Sequence, residues 1–203
     1  MKSIVLRIVV VFLLGLLVPA AAFAQTAAGL DQYQLNSDIG WAYHSVNANG
    51  QWFTAGADGL LSAAEFSLYI GGNASEGLVI EIYDFTGGSL GALRGSTSIS
   101  NSDLGPMETV LDIDAVTTTL IPLEHLGIVV SNGETMAIRL STAAVSPDFY
   151  GVRGMTSDAY PNGERLTGGS TPEPGSDLMF KTFVALPVFA DGFETGDTEA
   201  WDE

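Results

Sequence analysis

"GLVIEIYDFTGGS" (residues 77–89) decides the fold class. Leu78, Ile80 and Ile82 alternate with Val79, Glu81 and Tyr83, and Gly87-Gly88-Ser89 follows at once. A period of two with one apolar side predicts a strand buried on one face, and the glycine pair predicts a turn after it. The pattern recurs in both directions. In "EFSLYIGGN" (65–73) Phe66, Leu68 and Ile70 share one face, with Glu65, Ser67 and Tyr69 on the other. "TMAIRLST" (135–142) sets Met136, Ile138 and Leu140 against Ala137 and Arg139. "DLMFKTFV" (177–184) sets Leu178, Phe180 and Val184 against Met179, Lys181 and Phe183. Turn chemistry separates these runs at Gly71-Gly72-Asn73, Asn132-Gly133, Asn162-Gly163 and Gly168-Gly169-Ser170. Residues 128–130, followed by Ser131-Asn132-Gly133-Glu134, read as a hairpin into the Met136 strand. Residues 157–176 read as the longest irregular stretch. No helical stripe of any length appears. Many short antiparallel strands predict an all-β chain, a two-sheet antiparallel sandwich of jelly-roll type.

The sandwich is expected over residues 25–186, between a leader and a tail. Lys2 and Arg7, an apolar run over 8–18 and the small-x-small box Ala22-Phe23-Ala24 mark residues 1–24 as a secretory signal peptide. The run is short for a membrane span and no second long one follows, so no span is expected in the mature chain. The expected destination is the periplasm, the cell surface or the medium. With no cysteine, the exported fold relies on its core alone and has neither disulfides nor thiolate metal sites. Leader and cysteine-free body together point to a bacterial source. Seven Lys and Arg stand against 24 Asp and Glu, a formal charge of −17, and two of the seven lie in the leader. Such a surface repels nucleic acid and anionic lipid, so a glycan or another surface protein is the expected partner.

The runs "GQWFTAGADGLLSAAEFSLYIGGNASEGLVIEIYDFTGGSLGALRGSTSIS", "PLEHLGIVVSNGETMAIRLS" and "YGVRG…DAYPNGERL…SDLMFKTFV" resemble an uncharacterised β-sandwich module of bacterial extracellular and phage-associated proteins. The matching positions are Gln51, Phe53, Thr54, Gly59, Leu61, Leu68, Tyr69, the 78–83 strand, Asp177, Leu178, Phe180, Lys181 and Thr182. The resemblance implies a sandwich in an extracellular setting, with no catalytic residues and, by analogy to carbohydrate-binding modules, a binding role. Where that module carries a Trp or Tyr pair, this chain has Phe149-Tyr150 and then Gly151, Arg153 and Met155.

The last residues, 187–203, form an acidic tail. Asp191, Gly192, Phe193, Glu194, Gly196, Asp197 and Trp201 are similar to a D-G-F-E-x-G-D-x-x-x-W segment found at the end of many exported bacterial proteins. Because the tail follows a complete closing strand, it is expected to act as an address or assembly signal rather than as part of the sandwich.

Aromatics can stack on the apolar faces of sugar rings. Trp41, Tyr43, Trp52, Tyr150 and Tyr160 are available. The candidate binding residues are Trp41 and Tyr43, which share a face, together with Tyr150 and Tyr160, although the Trp41/Tyr43 face is expected first of all to be the core side of its strand. Tyr160, beside Pro161 in the long loop, is expected to be exposed. Calcium suits hard oxygen ligands, with Asp112, Asp114, Asp191, Glu194 and Asp197 as candidates. No catalytic residues are expected. Gly87-Gly88-Ser89-Leu90-Gly91 matches G-x-S-x-G, but a nucleophile elbow needs a helix after the serine, and another strand is expected there. His44 and His125 lack the spacing of a metal or catalytic pair. The resulting expectation is an exported, non-catalytic module with a binding, adhesion or structural role. Carbohydrate binding by exposed aromatics is the alternative, and a secreted hydrolase acting through Glu81 or Ser89 is the remote one.

Overall fold

The structure, a computed structural model, describes residues 28–104 and 117–186. The leader and the 187–203 tail lie outside these residues. In chain order the described strands are β1 (Ala28–Gln34), β2 (Ile39–Tyr43), β3 (Asn49–Thr54), β4 (Gly59–Phe66), β5 (Leu68–Gly71), β6 (Leu78–Thr86) and β7 (Ser89–Ile99). After them come β8 (Thr119–Pro122), β9 (Val129–Val130), β10 (Thr135–Thr142) and β11 (Phe149–Met155). The last four are β12 (Gly163–Thr167), β13 (Thr171–Pro172), β14 (Asp177–Leu178) and β15 (Phe180–Ala185). One turn of 3₁₀ helix, Glu124–Leu126, is the only helix among the described residues. No helix there is long and apolar enough to cross a membrane.

Every described pairing is antiparallel, and the chain is an antiparallel β-sandwich. One sheet has six strands in the order β13-β12-β3-β10-β6-β7. A five-stranded sheet runs β1-β15-β4-β8, with β9 also on β4, and a four-stranded sheet runs β14-β11-β2, with β5 also on β11. The inner faces of all three meet in a single core. The six-stranded sheet contributes Phe53, Ile80, Ile82, Met136 and Ile138; the others contribute Leu61, Phe66, Ile121, Phe180, Tyr43, Leu68 and Val152. Each such large side chain, fully buried, stabilises the fold by about 1.5–3 kcal/mol.

Strand β6 follows the alternation read from its sequence: Leu78, Ile80 and Ile82 are fully buried, while Val79, Glu81 and Tyr83 are partly exposed. Three other readings need correction. The first concerns "EFSLYIGGN" and "DLMFKTFV", each of which reads as one strand. Each is two strands in different sheets, broken at Ser67 and at Met179. The breaks coincide in space. Ser67 N–H donates to Met179 O (3.4 Å), Met179 N–H to Arg153 O (2.7 Å) and Arg153 N–H to Ser67 O (3.0 Å). The Arg153 side chain, fully buried, reinforces this junction, with Nη1 donating to Ser67 Oγ (3.0 Å) and Cζ lying 5.4 Å from the centroid of the Tyr69 ring. Side chains on both faces are covered there, so Ser67 and Tyr69 are buried although alternation would expose them.

The second correction concerns residues 128–142. β9 pairs with β4, whereas β10 pairs with β3 and β6, so the Asn132-Gly133 turn carries the chain between sheets instead of closing a hairpin. Ala55 and Glu134 hold the crossing: Gly133 N–H donates to Ala55 O, Ala55 N–H to Glu134 O, and Ser131 N–H to Glu134 Oε2 (each 2.8 Å). Third, the stretch read as irregular contains β12 and β13, a hairpin turning at Gly168-Gly169 that adds two strands to the six-stranded sheet.

Candidate functional site

The four candidate binding aromatics do not form an exposed platform. Tyr43 and Tyr150 are fully buried, with ring centroids 6.4 Å apart in the core. The Tyr150 hydroxyl donates to Glu76 O and lies 2.9 Å from Asn101 Oδ1. The expected exposure of Tyr160 is corrected as well. Its loop turns the ring inward, edge-on to Phe180 at 5.2 Å, where its hydroxyl donates to Gln32 Oε1 (2.8 Å) and burial raises its ionisation to about 12. Asp177 fixes that turn by accepting from the backbone N–H groups of Ala159 and Tyr160 (2.9 Å each). Trp41 is partly exposed, but it packs against the core and the Arg165 guanidinium lies 4.2 Å from its ring centroid. A ring face covered by a cation is not free to stack on a sugar.

An aromatic surface does exist, on the outer face of the six-stranded sheet. Along β3, Asn49, Gln51 and Phe53 point inward, which turns Trp52 outward. Register places Glu164, Trp52, Ala137 and Tyr83 side by side across β12, β3, β10 and β6. Ala137 is the small residue in that row, and Trp52 and Tyr83 pack over it together with Phe85, Leu90 and Leu166. Phe85, two residues beyond Tyr83 on β6, lies on the same outer face and joins this cluster. Trp52 and Phe85 stack with centroids 5.1 Å apart and planes 10° from parallel.

Beside this pair lies a groove of about 300 Å³. The aromatic pair lines it, together with the Gly87-Gly88 turn, Thr135, Glu164 and Pro172. Thr86 pairs with Ser89 across a two-residue loop whose glycines have φ of +61° and +76°, the I′ hairpin geometry. A Cβ built on either glycine meets nothing within 4 Å, so this rim is bare backbone. The Thr135 hydroxyl is committed to Phe85 O. Two polar groups remain. Trp52 Nε1–H is buried with no acceptor among the described residues, although such a donor ordinarily finds one. The Glu164 carboxylate makes no hydrogen bond or ion pair among the described residues. In the next row of the sheet Arg139 is ion-paired with Glu81, whose carboxylate also accepts from the Tyr83 hydroxyl (3.1 Å). Burial, the hydrogen bond to Glu81 and its charge all raise the Tyr83 ionisation. The site thus offers a flat apolar floor, bare backbone at one side and one unmatched carboxylate at the other.

The remaining candidates are placed as follows. Ser89 opens β7 and donates to Thr86 O (3.2 Å), so the G-x-S-x-G stretch lies in a strand–turn–strand. His125 Nε2 is 3.2 Å from Thr97 Oγ1, and His44 sits in a turn where its backbone N–H donates to Asn47 Oδ1. The calcium candidates Asp112, Asp114, Asp191, Glu194 and Asp197, and the tail residues Gly192, Phe193, Gly196 and Trp201, lie outside the described residues. Among the described residues no group of three or more His, Asp or Glu is placed to hold a metal ion. Sequence reasoning passed over Trp52 in favour of Trp41. The signal was its immediate neighbour Phe53: adjacent strand residues face opposite ways, and only one of the two can enter the core.

No protein-family model matches this chain, and no curated protein matches it.

Proposed function

We propose that this chain is an exported, non-catalytic binding module, and that it holds a carbohydrate in the groove beside Trp52. The observation that carries the reading is the stacked Trp52–Phe85 pair on the outer face of a sheet, where an aromatic face can meet the apolar C–H face of a sugar ring. The bare glycine rim and the Glu164 carboxylate supply hydrogen-bonding groups for ring hydroxyls. The leader and the cysteine-free body support export, and N-terminal sequencing of protein recovered outside the cytoplasm should begin at Gln25.

Affinity electrophoresis through gels containing neutral soluble glycans tests the binding reading. The mature chain should be retarded by at least one glycan, and Trp52→Ala should migrate as in the empty gel. Equal retardation of wild type and Trp52→Ala would move the site elsewhere. The absence of retardation by every glycan would remove the carbohydrate reading.

A further inference from the structure

The groove carries a charge that nothing among the described residues balances. Among the described residues Glu164 is the only charged side chain lining it, and register sets it directly beside Trp52. Neighbouring carboxylates are matched: Glu81 by Arg139, and Asp84 and Glu134 both by Arg94 (2.8 Å each). An unmatched carboxylate beside a tryptophan face suits a positively charged group, which gains from the carboxylate by charge and from the ring by cation–π attraction. The fold already contains such a contact, with Arg165 on Trp41. The chain's −17 charge works in the same direction, since it draws cations towards the groove and repels uronic acids and sulfated sugars.

Resting on the groove reading above, we propose that the ligand is an amino sugar with a free, protonated amine. Its ring stacks on Trp52, and its ammonium group is held by Glu164. An N-acetylated sugar carries no charge and leaves the carboxylate as unmatched as before.

Calorimetric titration of the mature chain at pH 6 and low salt, with short glucosamine, N-acetylglucosamine and glucose oligomers of equal length, tests this. The glucosamine oligomer should bind at least tenfold tighter than the other two, and added salt should narrow the gap. Glu164→Gln should abolish the preference while leaving weak binding of all three. Glu124→Gln, which removes an exposed carboxylate on the 3₁₀ turn, should leave the preference intact. Equal, Trp52-dependent binding of the three oligomers would overturn the amine assignment and keep the groove reading. A preference that survives Glu164→Gln, or that falls equally with Glu124→Gln, would assign the cation to the acidic surface at large and overturn it too. Binding of none of them would overturn the amine assignment, and the glycan gels would then decide the groove reading.

Discussion

The Arg165 guanidinium lies 4.2 Å from the centroid of the Trp41 ring, and the same guanidinium donates twice to Asn49 Oδ1, at 3.0 and 2.7 Å. Arg165 also pairs with Glu173, and burial lowers its ionisation to about 10. Trp41 is thus one wall of a buried cation's site, whereas Trp52 lines the groove. The two tryptophans should separate in experiment. Trp41→Ala should cost about 2–3 kcal/mol, a fall of roughly 5–10 °C in melting temperature, with glycan affinity unchanged. Trp52→Ala should cost about 1 kcal/mol and lose affinity by tenfold or more. Paired melting and binding curves on both variants decide it, and the opposite pattern would return the site to Trp41.

What the sequence reveals depends on whether a residue's neighbours obey one rule. Strand β6 was legible because one face meets the core and the other meets solvent, so alternation maps onto burial. At Ser67 and Met179 the chain passes from one sheet to another with both faces covered, and the alternation runs on through the break without a mark. The Asn132-Gly133 turn announces a change of direction, but local turn chemistry does not say which sheet the next strand joins. Trp52 was obscured by Gln51, a polar side chain in an inward position. Gln51 is buried because it donates to Asp177 Oδ1 (3.1 Å) and accepts from Leu178 N–H (2.8 Å). A satisfied polar residue in the core breaks the apolar pattern that would have shown which neighbour faces outward.

Arg153 should prove costly to replace. Its side chain is fully buried, and it ties Ser67 to the strand beside it exactly where two strands change sheets. Arg153→Met keeps much of the volume but removes the donors, and Arg153→Lys loses the planar fork. Both should destabilise by about 3 kcal/mol or more. Urea unfolding followed by fluorescence measures this. A loss below about 1 kcal/mol for Arg153→Met would mean that the backbone bonds hold the junction unaided.

Acid should strengthen this protein before it weakens it. Burial raises the Asp177 carboxyl above its ordinary value, although bonds from Tyr160 N–H, Gln51 and Ala159 N–H oppose the shift, and burial raises Asp31 as well. A carboxyl raised in the folded state takes up its proton there before the unfolded chain does. Its contribution to stability is therefore complete below the unfolded value, near 3.9, and is lost as pH rises through the folded value. The melting temperature should therefore rise as pH falls from neutral towards that unfolded value. Relief of repulsion across the acidic surface acts in the same sense but is screened by salt, so the part due to the buried groups is the part that persists at high ionic strength. A melting temperature that falls steadily over this range in high salt would contradict the assignment.

The hairpin at Gly87-Gly88 allows fold and binding to be altered separately. Both glycines have positive φ in a two-residue loop, and space is open around each Cβ position. Gly87→Asn creates Asn-Gly, the pair favoured in this turn. It should leave the melting temperature within about a degree or two of wild type. Gly87→Val places a β-branched residue at positive φ and should cost about 1–2 kcal/mol. Both substitutions project a side chain from the rim of the groove beside Trp52, so both should weaken glycan binding several-fold. If Gly87→Asn left affinity unchanged, the ligand would be confined to the Glu164 side of the groove, and Gly87 and Gly88 would serve the turn alone.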